Sequence, residues 1–379
     1  MEKPVVTIVI PCLNERKTLP FVLEKCKSVK EELKDKLELE ILVSDNGSDD
    51  GSQEFAKSLG ARVESCPVKG YGAALDSGIR NAKGEIIVFA DADDTYDFLE
   101  SPKLILKLIS SGADMVIGSR LDGTIHKGAM PLLHRYLGTP VINWIINRLY
   151  AKEFKIRDSN SGFRCFKKSS YLSWDVRSKG MEFASEMLIK ALRQGAKMEH
   201  EPVSLYPDKP GRTPHLKTWR DGMRHLLRIL FYAPYFFQKT GFIVLLLAFS
   251  QLVCGLFIGG IWEFYGFRIY GIHSLVLLSF AAIIGISIWN IGLQIATKQS
   301  MVEGVYSRIL NWSEDRLFFV LVSGFALVAA MFIYLLWKWS AGKFQFLNFE
   351  RELIVISTSG LVVFLFGINA LAAHILKRD

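Results

Sequence analysis

Apolar positions change their spacing along the chain. Val5 to Ile10 is a β-branched run closed by Pro11, the pattern of a buried strand. Residues 17 to 34 repeat apolar positions at helical spacing. Ile41 to Val43 is a second short apolar run, stopped by the turn-rich Ser44-Asp-Asn-Gly-Ser-Asp-Asp-Gly51. Helical spacing returns over Gln53 to Leu59 and over residues 72 to 82. Ile86 to Ala90 and Met115 to Ile117 read as two further strands. Such alternation predicts an α/β domain with a mostly parallel sheet, whose ligands bind beyond the carboxyl ends of the strands.

Past residue 240 the alternation stops. Four apolar runs, roughly 241–262, 272–296, 317–339 and 353–376, each approach the ~20 residues that span a bilayer. Before them, residues 216 to 238 mix Leu, Trp and Phe with cations. They read as interfacial helix, although an ordinary amphipathic surface helix has the same pattern. The expected organisation is a domain over 1–215, interfacial amphipathic helices over 216–240, and a four-helix transmembrane domain over 241–379.

Charge sharpens this picture. The net charge of +8 is moderate, but Lys209, Arg212, Lys217, Arg220, Arg224, Arg228 and Lys239 cluster just before the first apolar run. That placement suits an anionic lipid surface and argues against nucleic acid. Four spans return Lys377 and Arg378 to the starting side, and the loop at 263–271 carries little positive charge. The third connection, with Lys343 and Arg351, fits less well. The expectation is a multi-pass integral membrane protein with both ends in the cytosol: the plasma membrane in a prokaryote, the endoplasmic reticulum in a eukaryote. The start of the chain has no basic leader with an apolar core, and none of the five cysteines has CxxC spacing. Reduced thiols in a cytosolic domain follow.

Asp91-Ala-Asp93-Asp94 is the sharpest chemical feature. It closes a strand, so alternate carboxylates can hold a hard divalent cation against diphosphate oxygens. In isolation such a turn is more often a solvated loop. It is not isolated: Pro11-Cys-Leu-Asn14-Glu15 closes the first strand and Asp45-Asn-Gly-Ser-Asp-Asp50-Gly-Ser the second, and Lys69-Gly-Tyr-Gly72-Ala-Ala-Leu-Asp76 follows.

This ordered set resembles the family 2 glycosyltransferases of GT-A (Rossmann-like) fold. Among them it is similar to the polyprenyl-phosphate sugar synthases of the dolichyl-phosphate-mannose synthase type. Gly118-Ser-Arg120, Ser161-Gly-Phe-Arg164, Gly180-Met-Glu182-Phe and Thr218-Trp-Arg-Asp-Gly-Met-Arg-His-Leu extend the likeness over roughly residues 4 to 230. The resemblance implies metal-dependent, inverting transfer of mannose or glucose from a GDP- or UDP-hexose to dolichyl or undecaprenyl phosphate. It implies that Pro11, Asn14, Glu15, Asp45, Asp91, Ala92, Asp93, Arg120 and Arg212 bind the nucleotide sugar. Asp91 and Asp93 would bind Mg2+ or Mn2+. Arg120 would reach the diphosphate, and Arg135, His215 and Lys217 the acceptor phosphate. The catalytic set would be Asp93, Arg120 and Arg135.

The sequence also departs from the pattern. Asn46 stands where a second Asp is usual. Thr95 stands two positions after Asp93, where an amide side chain is frequent, so water or a hydroxyl would complete the metal site. A Gln-x-x-Arg-Trp motif, typical of processive polysaccharide synthases, is absent. Transfer to another lipid such as diacylglycerol, and a catalytically silent binding protein, remain as rival readings. The stretch 208–215 reads equally as a loop closing over the donor and as a linker. Asn46-Gly-Ser and Asn311-Trp-Ser are sequons on the expected cytosolic side, so no glycan is expected. Gly255-Leu-Phe-Ile-Gly259 reads as helix packing, homo-oligomer contact or chance. Asn290 and Gln294 share a helix face, read as interhelical hydrogen bonding ahead of a lipid-phosphate contact.

Overall fold

The computed structural model describes residues 3–209, 218–258, 263–264, 267–268, 270–299, 304–342 and 349–378. The chain divides into two compact units, Met1–Ile229 and Leu230–Asp379.

The first unit is built on seven strands: β1 (Val5–Cys12), β2 (Glu38–Asp45), β3 (Arg62–Ser65), β4 (Ile86–Phe89), β5 (Met115–Ser119), β6 (Arg164–Lys167) and β7 (Met198–Pro202). Their spatial order is β3-β2-β1-β4-β6-β5-β7. All pairs are parallel except those of β6, which runs antiparallel between β4 and β5. The sheet is thus mostly parallel, as the alternation predicts, but mixed at β6. Helices α1 (Leu19–Leu33), α2 (Ser52–Ser58), α3 (Tyr71–Asn81), α4 (Ser101–Ser111), α5 (Thr139–Leu149), α6 (Lys168–Trp174) and α7 (Phe183–Arg193) connect or flank the strands. A single π-helical turn, His134–Gly138, leads into α5.

Two local features position the site. Pairing of β1 with β4 ends at Val9 and Phe89, so Pro11 lies beyond it and its missing N–H costs no ladder bond on that side. At the start of α3, a Cβ on Gly70 would lie 2.1 Å from the Lys179 carbonyl, and one on Gly72 would lie 2.4 Å from the Ser178 carbonyl. Glycine at both positions therefore lets the first turn of α3 rest on the 178–180 backbone.

Arg164 at the start of β6 is fully buried. Its guanidinium donates to the carbonyls of Ser161 (3.2 Å), Ser159 (2.9 Å) and Ala184 (2.9 Å). It thereby ties the loop before β6 to α7. Burial lowers its pKa to about 10, so it stays charged at neutral pH.

Helix α8 (Thr218–Phe231) follows. Ser185 Oγ lies 2.7 Å from His225 Nδ1, Arg228 lies 3.6 Å from Glu182, and the Tyr150 hydroxyl donates to the Ile229 carbonyl. These contacts fix α8 to α7 and to the end of α5. Met223 and Leu227 are exposed on it.

The second unit contains α9 (Pro234–Ile258), α10 (Ile272–Lys298), α11 (Gly304–Leu310), α12 (Glu314–Ala341) and α13 (Glu350–Arg378). Among the described residues, α9, α10, α12 and α13 are long and apolar enough to cross a membrane. The first begins earlier than its apolar run, because Pro234 is pre-set for a helix start. Gly241 and Gly285 bring α9 and α10 close: a Cβ on Gly241 would lie 2.6 Å from the Gly285 carbonyl. Gly255 also serves this contact, facing Leu275, whereas Gly259 lies outside the described residues. Asn290 and Gln294 donate to the Leu365 and Asn369 carbonyls of α13, at 3.1 and 2.9 Å. They are therefore interhelical hydrogen bonders.

His200, next to Arg157 and stacked on Phe154 at 4.6 Å, accepts a hydrogen bond from the Arg157 N–H at 3.2 Å. Burial first, and then the Arg157 charge, pull its pKa from 6.5 to about 4. The folded state binds this proton less readily than the unfolded chain, so the contribution is whole above pH 6.5 and lost as pH falls towards 4. Melting temperature in detergent is expected to decline over that window. His200→Phe, which keeps the stack and removes the proton site, is expected to flatten the decline.

Candidate active site

Three polar turns meet at the carboxyl ends of β1, β2 and β4. The first two are laced together. Asn46 N–H donates to the Cys12 carbonyl at 2.8 Å, and Asn14 N–H to Ser48 Oγ at 2.9 Å. Asp49 N–H returns to Asn14 Oδ1 and Arg16 N–H reaches Asp50 Oδ2, each at 2.9 Å. Asn14 pays for its place with a left-handed backbone (φ 58°), which Asn tolerates better than most residues. Glu15 is buried and accepts from the Thr18 hydroxyl at 3.0 Å.

Asp45 is buried beneath its own turn. Its Oδ2 accepts from Gly47 N–H (2.8 Å), Ser48 N–H (3.0 Å) and Gln53 Nε2 (2.6 Å), and its Oδ1 from the Ser48 hydroxyl. Asn46 explains its own departure from the usual Asp. Its Nδ2 donates to the Val68 carbonyl and its Oδ1 accepts from Gly70 N–H, both at 2.7 Å. A carboxylate could accept but not donate, and would face the Val68 carbonyl unsatisfied.

At the end of β4 the chain alternates. Ala92 joins the core, and Asp91 and Asp93 flank it half-buried. Tyr71, the first residue of α3, donates its hydroxyl to Asp91 Oδ1 at 2.8 Å. Thr95 donates both its N–H (3.0 Å) and its hydroxyl (2.6 Å) to Asp93 Oδ1. A Cβ on Gly162 would lie 2.8 Å from Asp91 Oδ2, and Gly162 N–H donates to the Tyr96 hydroxyl at 2.8 Å. Burial, and for Tyr71 also Asp91, raise both phenol pKa values, so both keep their protons. Asp94 is buried in a left-handed conformation and takes Lys25 at 2.8 Å and Lys209 at 3.0 Å.

Asp91 and Asp93 fit a small hard cation. Among the described residues no group of three His, Cys, Asp or Glu forms an all-protein cage. Mg2+ characteristically takes one or two carboxylates and completes its octahedron with water and substrate phosphates. The donor set here is of that kind, and Asp94 is committed to its two lysines.

Arg120 directly follows β5 and forks onto fully buried Asp158. Its Nε and Nη2 lie 2.8 and 2.7 Å from the two carboxylate oxygens, and its N–H adds a third bond at 2.9 Å. Burial alone would lower its pKa, but the Asp158 and Asp91 carboxylates outweigh burial and raise it. Arg135 sits apart, half-buried on the π-helical turn, its guanidinium 5.5 Å from the Tyr136 ring centroid. Arg212, His215 and Lys217 lie outside the described residues. Asp158, Gln53 and Tyr71 also belong to the site, and none of them stands out in the sequence. Asp158 lies in a polar run, Arg157-Asp-Ser-Asn160, that reads as loop and carries no spacing signal.

The sequence profile of glycosyl transferase family 2 matches residues 7–173. The low-salt glycan biosynthesis hexosyltransferase Agl6 of Haloferax volcanii is 32% identical over 318 residues, covering 83% of this chain and 74% of that protein. The dolichyl-phosphate hexose transferase of the same organism is 30% identical over 171 residues, 44% of this chain and 70% of that one. A crystal structure of a mycobacterial protein shares the GT-A-like fold, with a TM-score of 0.50 and 20% identity over 61% of this chain and 75% of its own.

Asp158→Asn keeps the shape of the side chain and strips Arg120 of its countercharge. Breaking one side of a buried pair costs roughly 3 to 5 kcal/mol. A fall in unfolding free energy of that order is expected in denaturant titration. Asp122→Asn, whose carboxylate lies 3.5 Å from the exposed Arg157, is expected to change little.

Proposed function

Because the chain belongs to glycosyl transferase family 2, we propose that it transfers one hexose from a nucleotide sugar to a polyprenyl phosphate at the cytosolic face of a membrane. The observation that carries the lipid acceptor is an apolar ridge around Arg135. Leu132, Leu133, Tyr136, Leu137, Val141 and Trp144 are all exposed, Leu132 at 72% and Trp144 at 67%. A soluble domain has little reason to present such a patch unless it meets lipid or a partner. A polyprenyl chain would lie along the ridge, with its phosphate on Arg135. The likeness to a dolichyl-phosphate hexose transferase points the same way.

The chemistry needs few protein groups. The acceptor phosphate is already anionic. One of its oxygens attacks the anomeric carbon, the bond from that carbon to the diphosphate oxygen breaks, and the nucleoside diphosphate leaves with the electron pair. No proton has to be removed, and single displacement inverts the anomeric centre. Mg2+ or Mn2+, held by Asp91 and Asp93, would stabilise the charge that builds on the leaving diphosphate. Pro11, Asn14, Glu15 and Asp45 would shape the nucleotide end. Arg120, fixed by Asp158, would set a positive wall beside the diphosphate. Arg135 would orient the attacking phosphate.

The direct test offers a panel of GDP- and UDP-hexoses to the protein in detergent, with polyprenyl phosphate or diacylglycerol, and reads lipid products by mass spectrometry. A polyprenyl-phosphate hexose is expected. A diacylglycerol product alone, or no product from any donor, would overturn the proposal.

Asp93→Ala is expected to lower turnover by at least a hundredfold without loss of fold, since it removes a ligand of the leaving-group cation. Undiminished turnover in excess chelator would count against that role. Arg135→Ala is expected to raise the KM for polyprenyl phosphate well over tenfold and leave donor affinity by calorimetry near normal, with only partial recovery in Arg135→Lys. Tags at both ends are expected to be accessible on the same, cytosolic side of sealed vesicles.

A further inference from the structure

The two carboxylates proposed above as cation ligands are restrained in the same way by residues from different elements. Asp91 Oδ1 accepts the Tyr71 hydroxyl at 2.8 Å, and Asp93 Oδ1 accepts the Thr95 hydroxyl at 2.6 Å. Tyr71 is itself fixed, because Gly70 and Gly72 seat the first turn of α3 on the 178–180 backbone. Thr95 is fixed too: its N–H shares the same Asp93 oxygen, and its carbonyl accepts the Tyr206 N–H at 2.8 Å. The far side of Asp91 is also bounded, since a side chain at Gly162 would overlap Oδ2.

We propose that Tyr71 and Thr95 are positioning residues that hold Asp91 and Asp93 as one-oxygen ligands, and so make the site select Mg2+ or Mn2+ over Ca2+. This rests on the reading of Asp91 and Asp93 given above. Each hydroxyl occupies one lone pair of Oδ1 and fixes the rotation of its carboxylate, which favours one-oxygen over two-oxygen coordination. Ca2+ favours six to eight oxygens, often through two-oxygen carboxylates, at about 2.3–2.6 Å. Mg2+ takes six at about 2.0–2.1 Å and accepts one oxygen per carboxylate. Hydrogen-bond partners of metal ligands commonly contribute ten- to a hundredfold in affinity. Tyr71→Phe and Thr95→Val each remove one hydroxyl and little else, so the fold has small reason to change.

The test follows free Mn2+ by electron paramagnetic resonance on the full-length protein in detergent, with UDP or GDP present, and displaces bound Mn2+ with Mg2+ or Ca2+. Circular dichroism of each variant checks the fold. The expected result is a loss of Mn2+ affinity of about tenfold in each single variant. Ca2+ should gain on Mg2+ by several-fold as a competitor, and more in the double variant. Thr95→Ser, which restores the hydroxyl, should recover the wild-type ratio. An unchanged competition ratio in folded Tyr71→Phe and Thr95→Val would overturn the proposal. So would a wild-type protein that binds no Mn2+ with either nucleotide. Normal metal selectivity in a protein that glycosylates no polyprenyl phosphate would sink the acceptor assignment alone.

Discussion

A carboxylate taken out of water has to be given hydrogen-bond donors or a cation, or it takes up a proton. The carboxyl end of this sheet carries Asp45, Asp50, Asp91, Asp93, Asp94 and Asp158, and much of the domain serves to keep them supplied. Backbone N–H groups and Gln53 serve Asp45, and two lysines serve Asp94. The Arg120 fork serves Asp158, and one hydroxyl serves each of Asp91 and Asp93. These donors come from α1, α2, α3 and the loops after β2, β4, β5 and β7. The close seat of α3 and the antiparallel entry of β6 bring them to one edge. Cation–carboxylate contacts could have been exchanged among these groups only at the cost of leaving one of them buried and unmatched.

The parts legible in the sequence are those where one physical cause dominates. Buried β1, β4 and β5 announce themselves as apolar runs, and the long helices do so by length. The strands β3, β6 and β7 do not. Arg62–Ser65 and Met198–Pro202 are mostly half-exposed, and Arg164–Lys167 begins and ends on a cation. Their pairing is imposed by neighbours, so no local pattern reports it. The same holds at the site. Asp91 and Asp93 stand out by spacing, and Thr95 is local to Asp93, but the hydroxyl on Asp91 is specified by the fold: Tyr71 comes from a helix twenty residues upstream. Asn46 departs from the usual motif. The structure gives it a role that its acidic counterpart could not fill, because its amide both donates and accepts across one loop.

The second unit obeys a different balance. Between apolar helices, burial of hydrocarbon gives little preference for helix contact over lipid contact, so close approach and polar pairing decide which faces meet. Gly241 and Gly285 supply the first between α9 and α10. Asn290 and Gln294 supply the second, by sharing carbonyls that α13 already uses in its own ladder. By contrast, Phe318, Phe319, Leu327, Ile333, Leu336 and Trp337 of α12 stay exposed, as suits a helix turned largely to acyl chains.

The place of β6 has a consequence for biosynthesis. Spatially it lies between β4 and β5, but it is made after both. From Phe89 at the end of β4 to Arg164 at the start of β6 the ribosome must add 164 − 89 = 75 residues. At about 5 to 20 residues per second that is roughly 4 to 15 s. Until then the native partner of that edge of β4 has not been made, and such an edge could template pairing with another chain. The sheet then gains β6 well before translation reaches Pro234, where the first long apolar helix starts. The nascent domain can therefore close its central gap before hydrophobic segments emerge. Shielding of that edge by a ribosome-bound chaperone would matter most while the residues between β4 and β6 are being synthesised.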